Sequence, residues 1–496
     1  MNTHIRIGLF VLTGLMATHL SSPLQGEEPK RPNVLFLSID DLNDWIACLG
    51  GHPQVQTPNL DRLAARGTLF TNAHCQSPLC NPSRTSVMLG LRPTTTGIYS
   101  LQPAFRTLPK YQDYVSMPQA FAANGYATSS CGKIYHKDAG KDCFQLQGAP
   151  TLPKRGRPPE RLTPEEVGRL DWGPWPPNDS DQRDYATASW AVEQLSALAD
   201  SDSSEPFFMA VGFYRPHVPL YASQKWFDLY PEESVVLPPT QENDRADTPR
   251  FSWNIHWSLP EARLKPVEEA GEWKNKVRAY LACVSFMDAQ VGRVLDALEA
   301  SGRADETIVV AWSDHGYHLG EKEITGKNTL WDPSTRVPLM FAGPGIAEGA
   351  RCERPVELLD LYPTLAELCQ LKSVPEELEG LSLVPQLVDA SAPRDRYAFT
   401  SQGPGNDAVR TKTHRYIRYA DGSEELYDLR NDPEEFTNLA SNPETEALKE
   451  ELGALLPKNP AKPAQGSHAR LIERKADGSV WWENELIAED APIPGF

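Results

Sequence analysis

The stretch "SPLCNPSRTS" (residues 77–86) sets a lone thiol, Cys80, just ahead of a helical-looking segment, "PSRTSVMLG", with Arg84 one turn further on. Proline suits the first turn of a helix, and the free backbone N–H groups there aim their positive ends at whatever residue 80 carries. A thiolate would suit that place, and so would an oxyanion. The ordinary alternative is a buried, inert cysteine.

Two more groups stand at the ends of apolar runs. Asp40 and Asp41 close "NVLFLSI" (33–39), and Asp314 and His315 follow "TIVVAWS" (307–313). Adjacent residues of a regular strand point to opposite faces, so both aspartates can serve one site only if the backbone turns there. Carboxylates gathered in a dry place repel one another, and a hard divalent cation relieves that repulsion. Three carboxylates and one imidazole make an oxygen-rich shell that favours calcium over zinc. A lone Asp pair at a strand end is ordinarily a cap or turn; two such sets weaken that reading.

Basic groups recur in the same setting. Lys133 and His136 in "GKIYH" lie three apart, a spacing that one helical turn would aim the same way. His217 is held between prolines in "RPHVP", and Lys327 follows "DHGYHLGE" in "GKNTLWDPSTRVP". Singly, each reads as a solvated lysine or a satisfied core histidine. Together with Arg84 they form a local positive field suited to a tetrahedral anion.

Elements must bring these groups together. "PFFMAVGF" (206–213) ends before "YRPHVP", and "YATSSCG" (126–132) ends in "KIYH". Helical stretches lie between the strands: "PNLDRLAARG" with Gly67 as its expected C-cap, "YATASWAVEQLSALA", and a long one ending at Gly302. Strands alternating with helices predict a mostly parallel sheet covered on both faces, with ligands outside the carboxyl ends of the strands. After about residue 390, "DAVRTKTHRYIRYADGSEELYDLRNDPEE" alternates around Asp421-Gly422, a hairpin with a tight turn, within a smaller antiparallel part that has a helix near "ETEALKEELGALL".

The 496 residues leave room for a large core, and 23% charged with 40% apolar residues is ordinary for a folded protein. A net charge of −19 argues against broad nucleic-acid binding. The start of the chain, with Arg6, an apolar run over 7–17 and small polar residues after it, has the parts of a secretory leader, expected over residues 1–26; nothing else nears the ~18 apolar residues of a membrane span. In an exported chain the 8 cysteines could form four disulfides, of unreadable pairing.

"CNPSR" resembles the Cys-x-Pro-Ser-Arg signature of type I sulfatases, and the resemblance extends through "LSIDDLNDW", "GKIYH", "GFYRPHVPL", "SDHGYHLGE", "WDPSTRVPLMF" and "LYDLRNDPEEFTNLA". Within that family the chain is most similar to iduronate-2-sulfatases. The resemblance implies an α/β fold like that of alkaline phosphatases, a mostly parallel sheet sandwiched by helices, in a catalytic domain over 27–389, with a small antiparallel-sheet subdomain over 390–496. It implies that Cys80 is oxidised to formylglycine by a formylglycine-generating or sulfatase-maturating enzyme. Asp40, Asp41, Asp314 and His315 would then hold one calcium ion together with residue 80. Arg84 and His136 would contact the aldehyde hydrate, and Lys133, His217 and Lys327 the sulfate or the leaving oxygen. One hydroxyl of the hydrate would attack sulfur and the other would collapse to expel sulfate. The implied substrate is a sulfated carbohydrate, first a terminal uronate 2-sulfate, met in the periplasm or outside the cell. Tyr317 is expected in the pocket wall, and Trp253 and Trp257 at its mouth. Two other readings stand beside this one: a phosphatase or phosphodiesterase of the same superfamily, and a calcium-dependent glycan-binding protein whose Cys80 stays unmodified.

Overall fold

Asn33–Asp40 (β1) is buried at every position, because both its faces are covered. Leu35, Leu37 and Ile39 pack on one side with the long helix Trp273–Ala300, while Val34 and Phe36 pack on the other with Val87, Met88 and Trp312. Each buried side chain of this size contributes about 1.5–3 kcal/mol through apolar area removed from water. Deleting the Phe36 ring would cost about 3–5 kcal/mol.

The computed structural model describes the chain except residues 2–30, 138–139, 141, 149–155, 200–204, 260–262 and 496. The leader expected over residues 1–26 lies outside the described residues. Around β1 an eight-stranded sheet is built from Gly67–Phe70 (β2), Ala127–Gly132 (β3), Leu146–Gln147 (β4), Phe207–Pro216 (β5), Thr307–Ser313 (β6), Leu339–Ala342 (β7) and Ala350–Cys352 (β8), in the order β8-β2-β7-β6-β1-β5-β3-β4. All neighbours pair in parallel except β7, which runs against both β6 and β2. Helices Pro58–Ala65 (α1), Cys80–Leu89 (α2), Arg183–Ala199 (α3) and Trp273–Ala300 (α4) accompany this sheet. Gly302, at φ 70°, follows α4 as expected. Gly67 does not cap α1: it opens β2, where an added Cβ would stand 1.9 Å from the Phe341 carbonyl oxygen, so close strand pairing is what requires glycine there.

The C-terminal part carries the expected antiparallel sheet: Ala398–Ser401 (β9), Asp407–Arg410 (β10), His414–Arg418 (β11) and Glu424–Asp428 (β12), followed by helix Glu446–Gly453 (α5). The hairpin turn spans residues 419–423, with Gly422 at φ 91° and the Asp421 carboxylate accepting from the Ser423 N–H. A three-stranded antiparallel sheet over residues 472–487 follows. No disulfide joins cysteines among the described residues. No described helix is long and apolar enough to cross a membrane.

Candidate active site

Four adjacent strands, β6, β1, β5 and β3, deliver the chemistry at one edge: Asp314 and His315 follow β6, Asp40 ends β1, His217 follows β5 and Lys133 follows β3. Asp40 and Asp41 both reach the site because the strand is broken between Ile39 and Asp40, whose partners jump from Phe213 to Pro216. Asp41 then adopts φ 64°, a left-handed conformation that aspartate tolerates better than most residues. The turn is fixed by the Asp41 N–H donating to Asp314 Oδ1 at 3.2 Å and by the Tyr280 hydroxyl donating to the Asp41 carbonyl at 2.8 Å.

Cys80 is the first residue of α2, two residues earlier than Pro82, because the Ser83 N–H already closes the first turn on the Leu79 carbonyl at 3.1 Å. Its Sγ stands 3.3 Å from His315 Nε2, 3.4 Å from Lys327 Nζ and 3.7 Å from Lys133 Nζ. Burial would push the thiol up; Lys133, Lys327 and His315 override it and hold the thiol well below its usual range, with His136 adding to the effect. Ligand atoms of Asp40, Asp41, Cys80 and His217 lie within 4.8 Å of one another, as do those of Asp40, Cys80, Asp314 and His315.

Arg84, wholly buried, spends its guanidinium on the frame rather than on Cys80. It donates to Asp314 Oδ2 at 2.7 Å, Asp40 Oδ1 at 3.2 Å, Ser38 Oγ at 2.8 Å and the Lys133 carbonyl at 2.5 Å. Lys133 donates to Asp40 Oδ2, and Lys327 to Asp41 Oδ1 at 2.6 Å. Burial raises the Asp40 carboxyl, but Lys133 in front, with His217 and Arg84, brings it well below the ordinary range. Burial takes Asp314 up to about 6 against Arg84 and His315. His315, which burial would lower, is raised to about 9, chiefly by Asp314. Its Nδ1 contacts the Gly316 carbonyl at 3.0 Å, which can only accept, so Nδ1 carries the proton and Nε2 faces Cys80. The site opens on one side: the side chains of Lys133, Lys327 and His217 are 9%, 16% and 31% exposed.

A family model described as "Sulfatase" matches residues 32–371. This chain belongs to the sulfatase family. A second model, "N-sulphoglucosamine sulphohydrolase, C-terminal", matches residues 320–462 of this sulfatase. It is 42% identical to a sulfatase of Formosa agariphila, with 92% of each chain covered. It is 32% identical to the choline-sulfatase of Rhizobium meliloti, covering 83% of each chain, and 31% identical to the human iduronate 2-sulfatase, covering 69% of this chain and 70% of that one. Among solved structures, a 2-O GAG sulfatase superposes with a TM-score of 0.69 at 24% identity, over 86% of this chain and 91% of that one. The enzyme is a sulfuric ester hydrolase with an alkaline-phosphatase-like fold.

Several expectations for this sulfatase are corrected by the structure. Residues 133–136 form bends rather than a helical turn, yet Lys133 and His136 both come to Cys80. Tyr317 is not in a pocket wall; it is 2% exposed, stacks on Tyr280 with ring centroids 5.8 Å apart, and donates to the Thr325 carbonyl. Trp253 and Trp257 are buried rather than at a mouth: Trp257 packs with Phe251, Ile255, Trp331 and Tyr419, and the Trp253 ring lies against the Arg245 guanidinium at 3.3 Å. Ser38, Ser83, Ser313 and Tyr280 were missed. Ser83 Oγ donates to the Asp314 carbonyl at 2.5 Å, Ser38 Oγ accepts from Arg84 and Tyr280 donates to the Asp41 carbonyl, while Ser313 Oγ accepts from the Leu42 N–H and donates to the His315 carbonyl, both at 3.0 Å, so all four hold Arg84 or the backbone at and beside the aspartates. Nothing in their types or spacing marks them, because only the sheet brings them to the site.

Proposed function

We propose that this sulfatase hydrolyses the sulfate ester of a carbohydrate, a terminal uronate 2-O-sulfate of a sulfated polysaccharide, using formylglycine at position 80 and one calcium ion held by Asp40, Asp41, Asp314, His315 and residue 80. The observation that carries the proposal is the placing of Cys80 at a helix start, in contact with two lysines and His315 and in the same shell as three aspartates. The cation fits the residues present: Asp41 Oδ2 is buried without a hydrogen-bond partner, and the donors are mainly carboxylate oxygens. When bound, calcium neutralises charge on sulfate oxygens and polarises the hydroxyl of residue 80. Formylglycine supplies a hydrated carbonyl, whose second hydroxyl lets sulfate leave without a separate water attack.

The chain's own residues do the rest. Lys133 and Lys327 reach an anion carried on residue 80, each holding positive charge where the transition state develops negative charge. His217 Nδ1 donates to the Val218 carbonyl at 2.6 Å, which turns Nε2 to the open side, 4.0 Å from Asp40 Oδ2; in the imidazolium form that Nε2–H is the proton donor to the departing sugar oxygen. His136 stands beside residue 80 as the base. Arg84 keeps two aspartates and the Lys133 loop in register.

The relatives named for choline and iduronate sulfates support the reaction about equally. A cavity of about 380 Å3 beside His217 favours a sugar, since it has room for a ring. Cys80 is 2% exposed, so its conversion by a formylglycine-generating or sulfatase-maturating enzyme belongs before folding, in a chain exported with its leader. We divide the chain into a catalytic domain over 27–389 and a C-terminal subdomain over 390–496.

The test is hydrolysis by protein co-expressed with a formylglycine-generating enzyme. Nitrophenyl sulfate should turn over faster than nitrophenyl phosphate, and a 2-O-sulfated uronate oligosaccharide faster than choline sulfate. Preference for the phosphate would overturn the reaction; preference for choline sulfate would overturn the sugar.

A further inference from the structure

The cavity beside His217 carries a chemical preference of its own. It is lined by Arg157, Arg183 and Arg215 together with Trp175, Gln182 and Tyr214. Three buried polar atoms in this lining lack a hydrogen-bond partner: Trp175 Nε1, Gln182 Nε2 and Arg215 Nε. All three are N–H donors. Gln182 is 5% exposed, so its amide has been taken out of water without a protein acceptor to compensate.

The two carboxylates in the lining are already engaged. Asp184 accepts from the backbone N–H groups of Tyr214 and Arg215, both at 2.8 Å, and Asp181 accepts from Asn178 Nδ2 at 3.3 Å. Arg215 is tied at its other end to the carbonyls of His217 and Pro219. Arg157 and Arg183 are exposed, and Arg183 lies over the Tyr214 ring at 5.3 Å. Lys133 of the reactive centre meets that ring at 5.9 Å. His217 and Tyr214 therefore join the cavity to the sulfate site.

We propose that this cavity seats a second acidic group of the substrate, a carboxylate or a further sulfate, on the sugar that bears the reactive sulfate or on its neighbour. Arg157 and Arg183 determine specificity for a polyanionic glycan over a small neutral ester. The inference rests on the sulfatase reading of the Cys80 site and adds the substrate's second charge to it. A guanidinium facing a carboxylate or sulfate makes a charge-assisted, often bidentate, contact that a glutamine cannot reproduce.

The experiment compares wild type with Arg183→Gln and Arg157→Gln on four substrates: nitrophenyl sulfate, a 2-O-sulfated uronate disaccharide carrying a second sulfate, its carboxyl-reduced form, and the form lacking the second sulfate. Each variant should raise KM on the full disaccharide about tenfold, with kcat unchanged, while nitrophenyl sulfate kinetics stay as in wild type. Loss of that sensitivity on the carboxyl-reduced form assigns the cavity to the carboxylate; loss on the form lacking the second sulfate assigns it to sulfate. Equal effects on nitrophenyl sulfate and disaccharide, or no effect on either, would overturn the proposal. Failure of wild type to hydrolyse nitrophenyl sulfate would instead strike the reading of the Cys80 site.

Discussion

The reactive centre and the seam under the C-terminal sheet both bury charge deeply, and the first is built to react while the second is built to hold. At the seam under the C-terminal sheet, Lys322 donates to Asp244 Oδ1 at 2.8 Å and to the Glu435 carbonyl, while Arg415 meets Asp332 and Glu435. Glu425 there accepts from Trp331, Tyr419 and Tyr427 at 2.7–2.8 Å. At the reactive centre Arg84 plays the part of Arg415, clamping two carboxylates. Both regions offset the cost of burying ions by pairing them. Each has a buried carboxylate oxygen without a hydrogen-bond partner, on Asp41 in the centre and on Asp244 at the seam; the difference is that the centre adds a thiol held well below its usual range and an open side at His217. Buried charge fixes how parts dock; a nucleophile held in its reactive form with a route for substrate makes a site.

The largest test of that contrast is Cys80→Ala, which should lower kcat on nitrophenyl sulfate at least a thousandfold with the circular dichroism spectrum unchanged. Arg415→Met should do the reverse. Removing one partner of a buried pair should cost about 3–5 kcal/mol in denaturant unfolding, while the folded fraction keeps wild-type KM.

Calcium separates the regions next. Chelation should abolish activity, and calcium at a hundredfold its Kd should restore it and add about 2.7 kcal/mol of stability. That gain should vanish in Asp41→Asn and survive in Asp244→Asn; recovery with zinc alone would contradict the assignment of the ion.

The smallest effect concerns Asp407, beyond both clusters, whose carboxyl burial takes up to about 7 with Ser401 and Arg418 only partly offsetting it. An unfolded aspartate titrates near ~4, so the folded state holds the extra proton between those values and stability falls as pH rises from about 4 to about 7. Asp407→Asn should flatten that slope in unfolding measured across the range; an unchanged slope would contradict the assignment.

Much of the centre was legible because buried strands read as unbroken apolar runs, so a charged residue at the end of one stands out. Asp40, Asp314, Lys133 and His217 were all found by that contrast, and Asp41 by the demand that the backbone turn. Strand direction leaves no such mark, so the reversed β7 was invisible. Gly67 was misread because close strand approach and a helix cap both ask for glycine. Tyr317, Trp253 and Trp257 were misplaced because an aromatic side chain serves a core as readily as a pocket. The donor-lined cavity beside His217 was hidden too, since Trp175, Gln182 and Arg215 meet only through the fold.

The central claim is that residue 80 reacts as an aldehyde hydrate among those acids and lysines. Peptide mass spectrometry across residue 80, on protein whose sulfatase turnover has been measured, tests it most directly. The mass lost in converting thiol to aldehyde should be present, and its fraction should track kcat. A fully active preparation with an unmodified Cys80 thiol would contradict it.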